Sequence, residues 1–262
     1  MLESFVEVLL DRIPDAEVAG IYFKGSAQKH WDSPVDYVPE LSDVDIHLLF
    51  RDASDAPRRL GSVEAGLAIQ YRVEEAYHAK VASPIHVPRP QLTILNNLLQ
   101  DPDYIPSPKE TVTTLYGDDY PSDDYKDERR LREIERQRLL SHAAFLETFP
   151  LHVIDKPGIY LLAAMRGISW RVSPIGPRAL TVLGADYREA WSFNRTRIIP
   201  LLEELGESGL ATAYRTFYLS AWNYFLSNYA ESAAARAAVV AGVNAMKESI
   251  ALAEKCGASA QP

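Results

Sequence analysis

Residues 21–50, IYFKGSAQKHWDSPVDYVPELSDVDIHLLF, constrain the fold of this chain more than any other stretch. An apolar run over 18–23, rich in β-branched and aromatic residues, ends at Gly25-Ser26; a second run over 41–50 opens with alternating carboxylates, Asp43 and Asp45. Both read as strands. Successive side chains on a strand point to opposite faces, so Asp43, Asp45 and His47 share one face while Val44, Ile46 and Leu48 share the other. Two carboxylates held close together repel unless a cation lies between them, and oxygen-only ligands favour Mg²⁺ bound together with a phosphate substrate. A glycine-serine turn beside them offers backbone N–H groups and a hydroxyl to phosphate oxygens. The pattern predicts a metal-phosphate site built from Gly25, Ser26, Asp43 and Asp45.

The rest of the first half reads as mixed α and β. Phe5, Val6, Leu9, Leu10 and Ile13 recur at helical spacing, and Pro14 stops the pattern. Residues 27–42 read as an irregular loop, 51–59 as a connection, 61–79 as a helix and 82–90 as irregular because of its prolines. A third strand is expected over 91–95, QLTIL, and a further β-branched segment over 111–116. After an acidic turn over 117–124 the composition shifts to helix, expected over 127–149, 159–170, 177–183, 187–205, 210–229 and 233–255. The expected class is α+β: a domain over 1–124 with a small mixed sheet flanked by helices, then an all-α domain over 125–262.

With 262 residues, 47% of them hydrophobic, the chain can bury a sizeable core. Its net charge of -9 argues against a broad nucleic-acid surface and suits a small cationic substrate. A single cysteine, Cys256, excludes an internal disulfide framework and a thiolate-rich metal site, and the six histidines give no zinc spacing. The N-terminal residues lack a basic start and a cleavage signal, and no apolar run reaches membrane-spanning length, so a cytoplasmic protein without a membrane partner is expected.

The order of strand, Gly25-Ser26, loop and then Ser42-Asp43-Val44-Asp45-Ile46 on the next strand resembles the nucleotidyltransferase superfamily of the DNA polymerase β type. Together with the length and the helical second half, it is most similar to the bacterial aminoglycoside adenylyltransferases of the streptomycin/spectinomycin 3″(9) group. The resemblance implies transfer of a nucleoside monophosphate, usually AMP from ATP, to a hydroxyl of a small-molecule acceptor such as an aminoglycoside-like cation, with pyrophosphate leaving. It implies that Asp43 and Asp45 bind Mg²⁺ and that Gly25 and Ser26 hold the β and γ phosphates of ATP or another NTP. The family's third carboxylate, a metal ligand or general base on a following strand, corresponds here to Gln91.

That departure sets the alternative. A glutamine can orient a hydroxyl or ligate a metal through its carbonyl, but it cannot accept a proton at neutral pH. Losing a base typically costs about 10²- to 10⁴-fold in rate, which leaves a catalytically weakened or inactive nucleotide- or partner-binding protein as the second reading. His47, His86, Asp101 and Asp103 are the nearby stand-ins. Elsewhere, Trp31 is expected to pack, and His30, Asp32 and Tyr37 beside it either pack or contact substrate. Asp118-Asp119 and Asp123-Asp124 read as a solvated hinge or as a lure for a cationic acceptor. The arginines from Arg129 to Arg138 read as a solvated face, and the aromatic residues from Tyr214 to Tyr229 as core.

Overall fold

The computed structural model describes residues 1–121 and 127–258, so the Asp123-Asp124 pair and the expected boundary at 124/125 lie outside the described residues. The protein is mixed α and β, 62% helical, with a four-stranded mixed sheet. It divides into two units that interleave in sequence: Met1–Gln28 with Asp43–Asp124, and Lys29–Ser42 with Tyr125–Pro262.

The first unit runs α1 (Leu2–Arg12), β1 (Val18–Lys24), β2 (Val44–Phe50), α2 (Asp55–Leu60), α3 (Val63–Lys80), β3 (Pro90–Ile94), α4 (Leu95–Leu99) and β4 (Thr113–Gly117). The sheet order is β3-β2-β1-β4, with β1 antiparallel to both neighbours and β2 parallel to β3. Pro90 is tolerated because it opens an edge strand, where a missing N–H costs no internal ladder bond. One sheet face is apolar: Ile21, Val44, Ile46 and Leu48 pack with Phe5, Val8 and Leu9 of α1 and Val73 of α3. This burial is the reason the strand alternation holds, since a slip of one residue would drive Asp43 and Asp45 into that core.

Two short helices replace expected loop and strand. Residues 55–60 form α2, and residue 95 begins α4 because β3 stops at Ile94. There the Asn96 side chain takes over the ladder, accepting from the Phe50 N–H and donating to the Phe50 carbonyl, both at 2.9 Å. The start of α3 is set by Ser62, whose hydroxyl accepts the Ala65 N–H at 3.1 Å.

The second unit contains α5 (Glu128–Leu140), α6 (His142–Val153), α7 (Leu161–Val172), α8 (Ile175–Val182), α9 (Tyr187–Ser192), α10 (Arg195–Glu204), α11 (Ser208–Leu226) and α12 (Ser232–Ala258). The single helices expected over 127–149 and 187–205 are each two. The first breaks at Ser141, and the second at Asn194, whose side chain caps α10 by accepting the Arg197 N–H at 3.0 Å. Tyr214, Phe217, Tyr218 and Tyr224 of α11 are buried in the helical core with Ile168, Ala238 and Met246, as their spacing predicts.

Residues 29–42, expected as a loop of the first domain, belong to this helical unit. Asp36 is buried and accepts the N–H groups of Asp32, Ser33 and Thr196 and the Thr196 hydroxyl, at 2.6–3.1 Å. Buried Arg195 donates to the carbonyls of Val35 at 3.0 Å and Asp36 at 2.6 Å, and lies over the Tyr218 ring. Trp222 Nε1 donates to the Tyr37 carbonyl at 3.0 Å. Trp31 stacks on Tyr37 at 4.4 Å between ring centroids and stays half exposed, so its packing is within the loop.

Candidate functional site

The carboxylate-bearing face of the sheet is the opposite of the apolar one. At its far end Tyr22, Leu95 and Tyr120 form a small cluster with Leu49, Leu98, Tyr104 and Val112. At the near end the register gathers the polar side chains. Asp45 on β2 has Gln91 as its partner on β3 and Lys24 as its partner on β1. Paired residues point to the same face, so Lys24, Asp45 and Gln91 form a row across three strands. Asp43 lies one residue before β2 begins, and its ion pair with Arg89, one residue before β3, places it at that end of the sheet.

Gly25 ends β1 with a φ of 84°, and a Cβ built on it would stand 1.9 Å from Asp45 Oδ2. Glycine is required twice over: for the left-handed backbone, and because the Asp45 carboxylate fills the space a side chain would take. The turn it opens is closed by the Gln28 N–H donating to the Gly25 carbonyl at 3.2 Å, with Ser26 between them. All five residues singled out in the sequence, Gly25, Ser26, Asp43, Asp45 and Gln91, thus belong to the first unit. The register and the Gly25 contact bring Gly25, Asp45 and Gln91 side by side.

Asp43 carries the most telling electrostatics. Its Oδ2 pairs with the Arg89 guanidinium, while its Oδ1 is buried and has no hydrogen-bond partner among the described residues. An unsatisfied buried carboxylate oxygen costs about 1–3 kcal/mol or more, so a site that retains one is a fit for a cation. Among the described residues no group of three or more His, Cys, Asp or Glu side chains gathers to hold a metal. Asp43, Asp45 and Gln91 could offer a cation two carboxylates and an amide carbonyl. Such a set is all oxygen, incomplete by itself, and suited to Mg²⁺ that brings its own water and phosphate oxygens.

The stand-ins for a proton acceptor are differently placed. His47 shares the carboxylate face, but burial pushes its pKa down to about 3, helped by the Lys24 ammonium, and its Nδ1 faces the Tyr120 hydroxyl at 3.3 Å. So weak a base is a poor proton acceptor at neutral pH. Asp101 and Asp103 sit in the loop after α4, where the Asp101 carboxylate accepts the Asp103 N–H at 2.8 Å, which is turn chemistry. His86 lies in the irregular segment between α3 and β3. Asp118 pairs with Arg51 at 3.2 Å, both exposed, as a solvated pair would.

Sequence reasoning passed over Lys24 and Arg89. Parity was the available signal for Lys24, two residues from Tyr22 on β1, whereas Arg89 lies one residue before β3, between two prolines, and offered no strand signal. The Arg89 carbonyl also accepts the Val44 N–H at 2.9 Å, which anchors its backbone beside the carboxylate pair. Comparison of the chain with protein-family models, with curated proteins and with solved structures finds no match.

Proposed function

We propose that the first unit is a Mg²⁺-dependent nucleotidyltransferase module, with the fold of that superfamily, moving AMP from ATP to a hydroxyl of a small-molecule acceptor. The observation that carries this reading is the in-register pair of Asp45 and Gln91, with Asp43 two residues ahead and the Gly25 turn against the Asp45 carboxylate. Asp43 and Asp45 would hold the metal, and the unpartnered Asp43 Oδ1 supports that role. Bound Mg²⁺ supplies neutralisation of the charge that gathers on phosphate oxygens during phosphoryl transfer. The chain's own part is positioning: the Gly25 backbone and Ser26 orient the terminal phosphates, and the Gln91 amide orients a hydroxyl through its carbonyl. An acidic chain with net charge -9 favours a cationic acceptor, and an aminoglycoside-like one is the first to try.

The test is thermal unfolding with ATP and Mg²⁺. A nucleotide- and metal-dependent rise in melting temperature is expected, and Asp43→Asn should abolish it. A melting curve indifferent to both ligands overturns the proposal. Product mass after incubation with NTPs and a panel of aminoglycosides then identifies the acceptor.

A second reading is favoured by one residue. Gln91 stands beside Asp45 and cannot accept a proton at neutral pH, and the neighbouring His47 is too weak a base to replace it. On this reading the unit binds nucleotide and turns over slowly or not at all. Gln91→Glu separates the two: pyrophosphate release that rises by about 10²-fold or more supports the weakened site. Unchanged fast release supports a base supplied elsewhere.

A further inference from the structure

We infer that Arg89 is an exchanging cation of this site: it neutralises Asp43 while no nucleotide is bound and passes to the triphosphate oxygens when a divalent cation takes the carboxylates. The inference rests on the nucleotide-binding reading above and adds a residue that neither the Asp-x-Asp pattern nor the glycine turn contains.

Charge balance is the first argument. The polar face of the sheet carries two carboxylates, Asp43 and Asp45, and two cations, Arg89 on Asp43 and Lys24 across from Asp45. Without ligand the four groups cancel. A divalent cation bound by the carboxylates would stand against a guanidinium of like charge, and a triphosphate arriving with it brings several negative oxygens. Both changes drive Arg89 from Asp43 toward the phosphates. Lys24 is the partner of Asp45 on β1, so its side chain leaves the same face of the sheet.

Geometry allows the exchange. The Arg89 backbone is anchored through its carbonyl to the Val44 N–H at 2.9 Å, so the residue cannot leave the site. Its side chain is 42% exposed at the end of the irregular segment 81–89, so the guanidinium can swing while the backbone stays in place. Asp43, by contrast, is only 13% exposed and immediately precedes β2, so the pair opens by motion of the arginine. Arginine suits both states, because its planar fork matches a carboxylate and a phosphate alike. The pairing also leaves Asp43 Oδ1 without a partner, so the ligand-free contact is an incomplete substitute for a metal.

The test compares the full-length protein with Arg89→Ala and Arg89→Lys, using two probes. Mn²⁺ alone is titrated by the electron paramagnetic resonance of the free ion, and ATP with Mg²⁺ by calorimetry. Removing the competing guanidinium should tighten Mn²⁺ binding about tenfold in Arg89→Ala, and removing the phosphate contact should weaken ATP about tenfold, each the worth of one charged hydrogen bond. Arg89→Lys should keep weak Mn²⁺ binding and recover part of the ATP affinity. Opposite movement of the two affinities supports the exchange. Wild-type protein that binds ATP with Mg²⁺, beside an Arg89→Ala variant with both affinities unchanged or both weakened, overturns the exchange and leaves the nucleotidyltransferase reading standing. Wild-type and Arg89→Ala proteins that bind neither probe overturn both.

Discussion

Gly25→Ala is the substitution that separates the site from the stability of the fold. At a φ of 84° an alanine is strained by about 1–2 kcal/mol relative to glycine, and its stiffer unfolded chain returns about 0.4–1 kcal/mol of that. The net backbone loss should be near 1 kcal/mol. The new methyl group would fall 1.9 Å from Asp45 Oδ2 and 2.9 Å from its carboxyl carbon, while the Asp45 Cβ stands at 3.2 Å. The clash is with the end of a short side chain, so it is relieved by turning the carboxylate away, a displacement of roughly 1.5 Å to regain van der Waals separation. The fold survives that motion, but the ligand geometry does not, and a displacement of this size costs about 10²-fold in the rate of a positioned reaction. Urea unfolding should therefore report a loss near 1 kcal/mol. Calorimetry with ATP and Mg²⁺ should report affinity lower by about tenfold, the worth of one charged contact, with Ser26→Ala milder on both. A Gly25→Ala protein that binds the nucleotide within a factor of about two of wild type would refute the claim that the Asp45 carboxylate must occupy this space.

Three other predictions concern stability. Burial lowers the pKa of His47 to about 3 and that of His142 to about 4, so between these values and about 6.5 the unfolded chain binds more protons than the folded one. Stability should be complete above about pH 6.5 and fall as the pH drops toward 4, by at most about 1.4 kcal/mol per pH unit for each histidine, and His47→Gln should flatten part of the slope in urea titrations. Glu135 is fully buried on α5 against the half-buried Arg138 at 2.8 Å and Arg178 at 2.9 Å, so Glu135→Ala leaves two partly desolvated guanidiniums without their carboxylate and should cost about 2–3 kcal/mol. Chemical denaturation checks it, and a loss below about 1 kcal/mol would mean that solvent reaches the pair. Asp36→Ala removes the acceptor of three N–H groups and one hydroxyl in residues 29–42 and α10, and amide exchange at Ser33 and Thr196 should accelerate while the sheet amides stay protected.

What the sequence disclosed and what it hid follow from the range of the interactions involved. The strand face of Asp45 and His47 was legible because alternation has a period of two and one face is buried by Ile46 and Leu48, but the strand expected over 41–50 begins at Val44, which leaves Asp43 just ahead of it. Gln91 was legible as a position because QLTIL is a short β-branched run, but its place beside Asp45 depends on parallel pairing, which local pattern does not encode. The two helix breaks were missed for a local reason. Composition alone outweighed the signals of Ser141 and Asn194, although Asn194 is a strong cap.

Residues 29–42 illustrate the harder limit. Their prolines and polar residues correctly read as irregular backbone, yet that backbone is held by Asp36, Arg195, Thr196 and Trp222, whose partners lie some 160 to 188 positions apart in the chain. Such a loop cannot be assigned to a domain from sequence order, because the groups that satisfy its buried carbonyls and N–H donors come from elsewhere. The same argument explains Arg89. As an exposed residue between two prolines it carried no pattern, and only the strand pairing that brings its carbonyl to Val44 also brings its guanidinium to Asp43. Chemistry readable in the sequence thus reached as far as the residues that repeat along one strand. The cations beside them, Lys24 opposite Asp45 and Arg89 on Asp43, become visible only across strands, because strand pairing and not local pattern brings them there.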